Sequence, residues 1–415
     1  LPFQETQRHE VESFYRLILK GIKAMEYFHK TIQNVNIELS MFIRNGVNEI
    51  HLLAKTKNPK SFDNQLEEIF NALNAYLTEN NIPYRSVVFT RYFVSDYANH
   101  DEALSIIKKR TIEHFNMCAV SIVQQPPLND NKVVVWAYII NDDNREAFDI
   151  KIINDNNLIV RRGSYNHIWS THLLSYNGYT EPYNQTTNIF TDFSDKLNQY
   201  GYSIKDNCIR TWLFVKDIDF NYMGVVKARR EFFEKLDMTK DTHFISSTGI
   251  EGGHANPDTV VFMDAYSVGG VAQEQIKFLE ALENLNRTHE YGVTFERGTS
   301  IDFGDRRHIY ISGTASINNR GEVVHKKDIN KQIERTITNI SALLDDAGAT
   351  MEDVAQMIVY LRDAADTEAV NKYFARNYQN IPKVVVLAPV CRPEWLVEIE
   401  CIAIKATDNS AYSNF

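Results

Sequence analysis

The apolar positions of this chain fall into one pattern that occurs three times. Residues 86–96, 208–217 and 354–363 are strongly apolar segments that each end in an acid, Asp96, Asp217 and Asp363, and each predicts a central strand. A helical stretch precedes each of them (62–80, 188–200, 330–347) and a second follows each Asp (102–115, 225–236, 367–378). In the third copy Ile333, Ile337, Ile340 and Leu344 recur at helical spacing, and Gly348 fits a helix stop. Earlier strands open each copy, and a terminal strand closes it near Cys118, Thr259 and Val384. The predicted unit is a mixed sheet with two helices on one face, an α+β lobe of roughly 100–130 residues. Its bare face is apolar, so three copies would bury those faces against one another as a pseudo-trimer within one chain. The lobes are read as 31–145, 158–268 and 290–406. Chance alternation in an ordinary α/β protein is the competing explanation of the pattern.

Residues 1–30 read as an amphipathic helix leading into the first copy. The Asn- and Asp-rich stretch 141–157 and residues 278–291 read as joins, and the polar tail 408–415 as mobile.

The closing strand, 389–404, carries the candidate chemistry. At period 2, Leu396 and Glu398 share one face while Val397 and Ile399 share the other. A carboxyl among Leu, Val, Ile and Trp has its pKa raised, because burial disfavours the charged form. Such a group keeps a proton near neutral pH and can act as a general acid. The same pattern also fits a half-exposed strand whose Glu398 and Glu400 face water.

Composition narrows the partners. The 415 residues are 44% hydrophobic and 24% charged, ordinary for a globular protein, with a net charge of -10 that argues against a nucleic-acid partner. No apolar run approaches the length of a membrane helix, so no membrane partner is expected. Four cysteines (Cys118, Cys208, Cys391, Cys401) without CxxC spacing point to a reduced, cytoplasmic setting. No signal peptide is visible, and a start at Leu1 is consistent with a leader or start residue ahead of it. The 12 His lack ligand spacing, so neither metal nor cofactor is expected.

In the third copy, Phe295-Glu296-Arg297-Gly298, the run from Phe303 through Gly304, Arg307 and His308 to Ile317, and the closing VCRPEWLVEIE resemble the Rid (YjgF) superfamily, most closely its chorismatase branch. Copy two adds Arg210-Thr211-Trp212, Asn221 with Lys227-Ala228-Arg229, and Ser247-Thr248-Gly249-Ile250. The similarity is good from about residue 205 onward. Rid proteins are homotrimers of one such lobe, which agrees with the tripling.

The resemblance implies a hydrolase that protonates the enolpyruvyl ether of chorismate and releases pyruvate. Glu398 matches the family's essential glutamate. Cys391 and Gly304 match product-influencing positions, and that combination is the one shown by the 3-hydroxybenzoate-forming branch. Arg210, Arg229, Arg307 and Arg392 lie in the matching motifs and are the candidates to bind a small dicarboxylate, with Tyr266 also within reach. Taken alone, Gly304 reads as a bulge or turn glycine, Cys391 as a small core residue and each arginine as a surface or ion-pair residue. Two departures stand out. Ala272–Ile276 holds no Arg where chorismatases carry one, and Pro382-Lys383 stands where the imine-deaminase branch has its carboxylate-binding Arg. A Rid-type imine or enamine deaminase and a non-catalytic small-molecule binder are therefore the alternatives, in a monomer or loose homo-oligomer. A closed pocket that holds Glu398 and at least two arginines would favour the enzyme.

Overall fold

The computed structural model describes residues 25–142, 150–154 and 156–415. Lobe one holds β1 (Met25–Ile32), β2 (Val35–Arg44), β3 (Val47–Thr56), α1 (Phe62–Glu79), β4 (Val87–Val94), α2 (Asp101–His114), β5 (Ala119–Gln124) and β6 (Val133–Asp142). Lobe two repeats the order with β7 (Ile150–Asn154), β8 (Asn157–Arg162), β9 (Tyr165–Leu173), α3 (Pro182–Gln199), β10 (Cys208–Val215), α4 (Ile218–Lys235), β11 (Ser246–Glu251) and β12 (Val261–Gly269). Lobe three does so again with β13 (Ile276–Phe278), β14 (Gly298–Asp302), β15 (Arg306–Ala315), α5 (Ile329–Asp346), β16 (Val354–Leu361), α6 (Thr367–Asn377), β17 (Lys383–Leu387) and β18 (Val397–Ala406).

All three sheets have six strands in one spatial order: β1-β2-β3-β6-β4-β5, β7-β8-β9-β12-β10-β11 and β13-β14-β15-β18-β16-β17. The only parallel pairs among the described strands are β4 with β5, β10 with β11 and β16 with β17. Each is joined through a helix, as a parallel crossover requires. The fold is α+β with three lobes of the same design.

The sequence explains the elements directly. Helix α5 starts where Asp328 accepts a bond from the Lys331 N–H and buries Ile333, Ile337, Ile340 and Leu344. It ends at Gly348, whose φ of 69° supplies the left-handed residue that closes the last turn. In each lobe the helices cover one face of the sheet. The other faces converge on the pseudo-threefold axis, where Trp136, Trp169, Trp212, Tyr266 and Tyr310 pack into one core.

The lobes close in a ring. The parallel edge strand of each touches the next lobe through Gln124 with Gly253, Ile250 with Val390, and Val386 with Pro127.

Several boundaries differ from the sequence reading. Residues 25–30 belong to strand β1 rather than to a helix, and the rest of that predicted helix lies outside the described residues. The predicted join 141–157 contains the end of β6 and the edge strand β7, and reaches the first residue of β8, with which β7 pairs in the second sheet; its residues 143–149 and 155 lie outside the described residues. The tail is packed: Phe415 is buried, its N–H donates to Asp305 at 3.1 Å, and its carbonyl accepts from Arg162 at 3.2 Å. An aromatic end group among two arginines and two histidines outweighs the polarity of the residues before it.

Candidate active site

Strand β18 has an apolar face toward its helices (Val397, Ile399, Cys401, Ala403) and turns Glu398, Glu400, Ile402 and Ile404 inward. Both acids are buried, Glu398 at 5% and Glu400 at 4% exposure, so neither faces water. The two carboxyls have opposite surroundings. Glu400 accepts from Arg210 at 2.7 Å and from Trp212 Nε1 at 2.6 Å, with a further bond from Thr248, all from lobe two. Glu398 receives no hydrogen bond among the described residues and lines a cavity of about 190 Å³ between lobes two and three. Burial raises its pKa to about 8, helped by the charge of Glu400 and opposed by Arg210 and Arg297. It is therefore a neutral acid at pH 7.

A bulge in β15 makes room for that acid. The register shifts between Ile311 and Thr314, and Gly313 comes against the carboxyl. A Cβ at position 313 would collide with the Glu398 carboxyl and come within 3.1 Å of the Thr248 methyl. Gly313→Ala is therefore expected to displace the carboxyl and lower turnover by about 10²-fold, the cost of misplacing a reacting group by an ångström. Steady-state kinetics beside an unchanged circular-dichroism spectrum would check this.

The cations come from two directions. Arg229, on α4 and 1% exposed, donates to Thr294 and to Ser247, both at 3.3 Å, while its Nη2 has no hydrogen-bond partner among the described residues. Arg297 is carried by the segment 295–297, which runs between β11 and β15 through bonds from Glu296 to Ile245 and from Ser312 to Arg297. Its guanidinium is held by the carbonyl and side chain of Asn286. Arg392 lies over the Trp395 ring at 4.8 Å. All three line the cavity. Arg297 was absent from the sequence-derived candidates although it sits inside the quoted Phe295–Gly298 motif. Its burial at 7% exposure is what marks it out.

Cys391 lines the same cavity as Glu398. The strand begins only at Val397, and residues 392–395 form a turn closed by Trp395 N–H to the Arg392 carbonyl at 3.1 Å. Strand parity thus has no hold on position 391. Burial, with Glu398 nearby, pushes the thiol up to about 12, so it is uncharged.

Four of the candidate residues are placed elsewhere. Arg307 and Gly304 sit at the opposite end of β15 from Ala315, the partner of Glu398, which is roughly 26 Å along the strand at 3.3 Å per residue. There Arg307 pairs with Asp302 and caps α5 through the Ala347 carbonyl, and Gly304 receives the tail at Ser413. Tyr266 is on the axis, bonded to His167 at 2.7 Å. Arg210 stands behind the cavity wall, spent on Glu400 and Thr248. Lys383 is also remote: its ammonium caps the carbonyls of Tyr378 and Ile381 on the seam toward lobe one. Ser247, which pairs with Thr211 as Lys383 pairs with Met357, occupies the corresponding register position beside Glu398.

The three seams are not equivalent. Glu398 pairs with Tyr360 as Phe262 pairs with Phe214 and Val134 with Phe93. Only the seam between lobes two and three has an acid at this position.

Comparison with known proteins agrees with this architecture. The family described as Endoribonuclease L-PSP matches residues 301–405. A RutC family protein of Pyrococcus abyssi is 36% identical over 100 residues, 23% of this chain and 78% of its own length. The 3-aminoacrylate deaminase RutC of Acinetobacter baylyi is 29% identical over 97 residues, 23% of this chain and 77% of its own. A crystal structure of a chorismatase superposes with a TM-score of 0.59 at 16% identity, covering 77% of this chain and 93% of that one, and so shares its fold.

Proposed function

We propose that this chain, which belongs to the Rid (YjgF) superfamily, is a chorismatase-like hydrolase that uses Glu398 to protonate the enolpyruvyl ether of chorismate. The observation that carries the reading is a buried carboxyl, free of hydrogen bonds among the described residues and with its pKa raised by burial, on a cavity lined by three arginines. A solvated acid would be ionised at pH 7, and a structural one would be bonded as Glu400 is.

The roles follow from the chemistry. Arg229, Arg297 and Arg392 are the cations that line the cavity where the two carboxylates of the substrate would bind. Glu398 gives its proton to the terminal methylene carbon, and the ether carbon becomes an oxocarbenium ion. Water adds to that carbon and returns a proton to the Glu398 carboxylate. The hemiketal then breaks its bond to the ring oxygen, which takes the hydroxyl proton, and pyruvate leaves. The acid is restored, and the ring product of these steps is the dihydroxycyclohexadiene carboxylate; loss of the C3–H proton and the C4 hydroxyl as one water turns it into 3-hydroxybenzoate.

Incubation with chorismate tests the reading: pyruvate should appear together with a ring product, and no pyruvate would end it. The RutC relatives favour a second reading, hydrolysis of an imine or enamine such as 3-aminoacrylate. Ser247 beside Glu398 cannot make the bidentate carboxylate contact of an arginine, so ammonia release from that substrate is expected to be slow.

Cys391 bears on the ring product. The pair pyruvate plus 3-hydroxybenzoate contains the atoms of chorismate, whereas a dihydroxycyclohexadiene carboxylate contains one water more. Cys391→Ala is expected to shift the product toward the hydrated form while pyruvate continues to be released. Chromatography decides it, and an unchanged ratio would leave Cys391 as a packing residue.

A further inference from the structure

The segment 278–291, a join between lobes in the sequence, is packed against lobe three. Leu279 and Leu285 are buried, and Arg335 of α5 donates to the carbonyls of Asn284 at 2.8 Å and of Ile317 at 2.9 Å. Next to that clamp stands Asn286, a polar residue at 5% exposure that does not itself line the cavity. Its carbonyl accepts from Arg297 at 3.1 and 3.2 Å, and its side-chain oxygen accepts from Arg297 Nη2 at 3.1 Å. The same side-chain amide lies against Gly321, where a Cβ would come within 2.7 Å of Asn286 Nδ2. Gly321 sits in a turn closed by its N–H to the Asn318 carbonyl at 3.0 Å, and Arg392 Nη1 reaches the Gly321 carbonyl at 3.5 Å. One buried amide thus touches the seats of two of the arginines that line the cavity.

We propose that Asn286 is a positioning residue that sets the separation of Arg297 and Arg392, and that the pair so held selects ring compounds with two carboxylates over those with one. The proposal rests on the chorismate reading and deepens it by naming the ligand class. A guanidinium grips a carboxylate through a planar fork, so the contact depends on direction as well as distance. An arginine already fixed by hydrogen bonds has less freedom to lose when a ligand arrives. A monocarboxylate needs one fork and takes whichever cation is best placed. A dicarboxylate must satisfy two forks in one pose, and a fixed separation lets both close at once.

Calorimetric titration tests this with two probes that differ by one carboxylate, 3-(carboxymethoxy)benzoate and 3-methoxybenzoate. The first carries its carboxylates on the ring and on the ether arm, as chorismate does, and has no enol to protonate. Asn286→Ala is expected to weaken the dicarboxylate about tenfold or more, the effect of a lost hydrogen bond to a charged group, and the monocarboxylate by less than about threefold. Equal losses would make Asn286 a packing residue, and no loss with either probe would sink the proposal as well. In turnover, KM should rise by a similar factor while kcat stays level, because the proton donor Glu398 is untouched. Asn286→Asp serves where the alanine variant does not fold. It keeps the shape and the accepting oxygen but sets a negative charge beside Arg297, so the dicarboxylate should weaken by a similar factor at an unchanged melting temperature. Parent-like affinity in that variant overturns the proposal, as does a parent that does not prefer the dicarboxylate. If the parent releases no pyruvate from chorismate, the functional reading falls, and the selectivity between the two probes still decides the role of Asn286.

Discussion

Glu398→Gln is expected to lower turnover of chorismate by about 10²–10⁴-fold, the usual contribution of a positioned general acid. Glutamine keeps the size of the side chain and removes the transferable proton. Binding of an unreactive analogue should change little, since the arginines are untouched. Parent activity should be level through neutral pH and fall about tenfold per unit above the Glu398 pKa of about 8, because the ionised form has no proton to give. Stability carries the matching sign. The carboxyl titrates near its ordinary 4.5 in the unfolded chain and near 8 in the folded one. Between those values the unfolded chain has released a proton that the folded chain keeps, so the parent loses stability as pH rises. The Gln variant has no such proton and should gain on the parent across that window. Urea titrations at pH 5 and pH 8 would show it, and equal activity in the variant would assign protonation to another group.

Arg210→Ala is expected to destabilise the protein by about 3–5 kcal/mol, the cost of leaving a buried charge without its partner. Arg210 and Glu400 are 2% and 5% exposed at the side chain and 2.7 Å apart, joining lobe two to lobe three. The sequence made Arg210 a substrate ligand, which predicts a higher KM with unchanged stability. The geometry predicts the reverse split. Denaturant unfolding beside steady-state kinetics separates the two, and a variant as stable as the parent would return Arg210 to the substrate.

Much of the fold was legible in the sequence. The three apolar segments ending in Asp are β4, β10 and β16 with the residues that follow them, and the helical spacing of Ile333, Ile337, Ile340 and Leu344 is the buried face of α5. What misled was local composition. Asn and Asp between 141 and 157 suggested a loop, yet Ile150–Asn154 pairs with Asn157–Arg162, because an edge strand needs one partner and tolerates polar residues. In the tail, polar neighbours hid the one residue that decides its course, Phe415.

The site divides in the same way. Sequence alone determined the triplication and the place of Glu398 in an apolar strand, because strand and helix periods are written within a few residues. Cys391 and Arg229 also came from the sequence, through motif resemblance. Only the tertiary structure decided which arginines stand beside the acid. Arg297 and Arg307 lie in adjacent motifs, but the length of β15 and its bulge at Gly313 place Arg307 far from Glu398, while the segment 295–297 crosses to it. It also decided that Glu400 is hydrogen-bonded while Glu398 has no hydrogen bond among the described residues, two residues apart on one face. The reason is that their surroundings are supplied by Arg210, Trp212 and Thr248 from another lobe, more than 150 positions away in the chain. Local pattern has no means of recording a partner at that separation, whereas packing of the lobes around the axis places it to within a hydrogen bond.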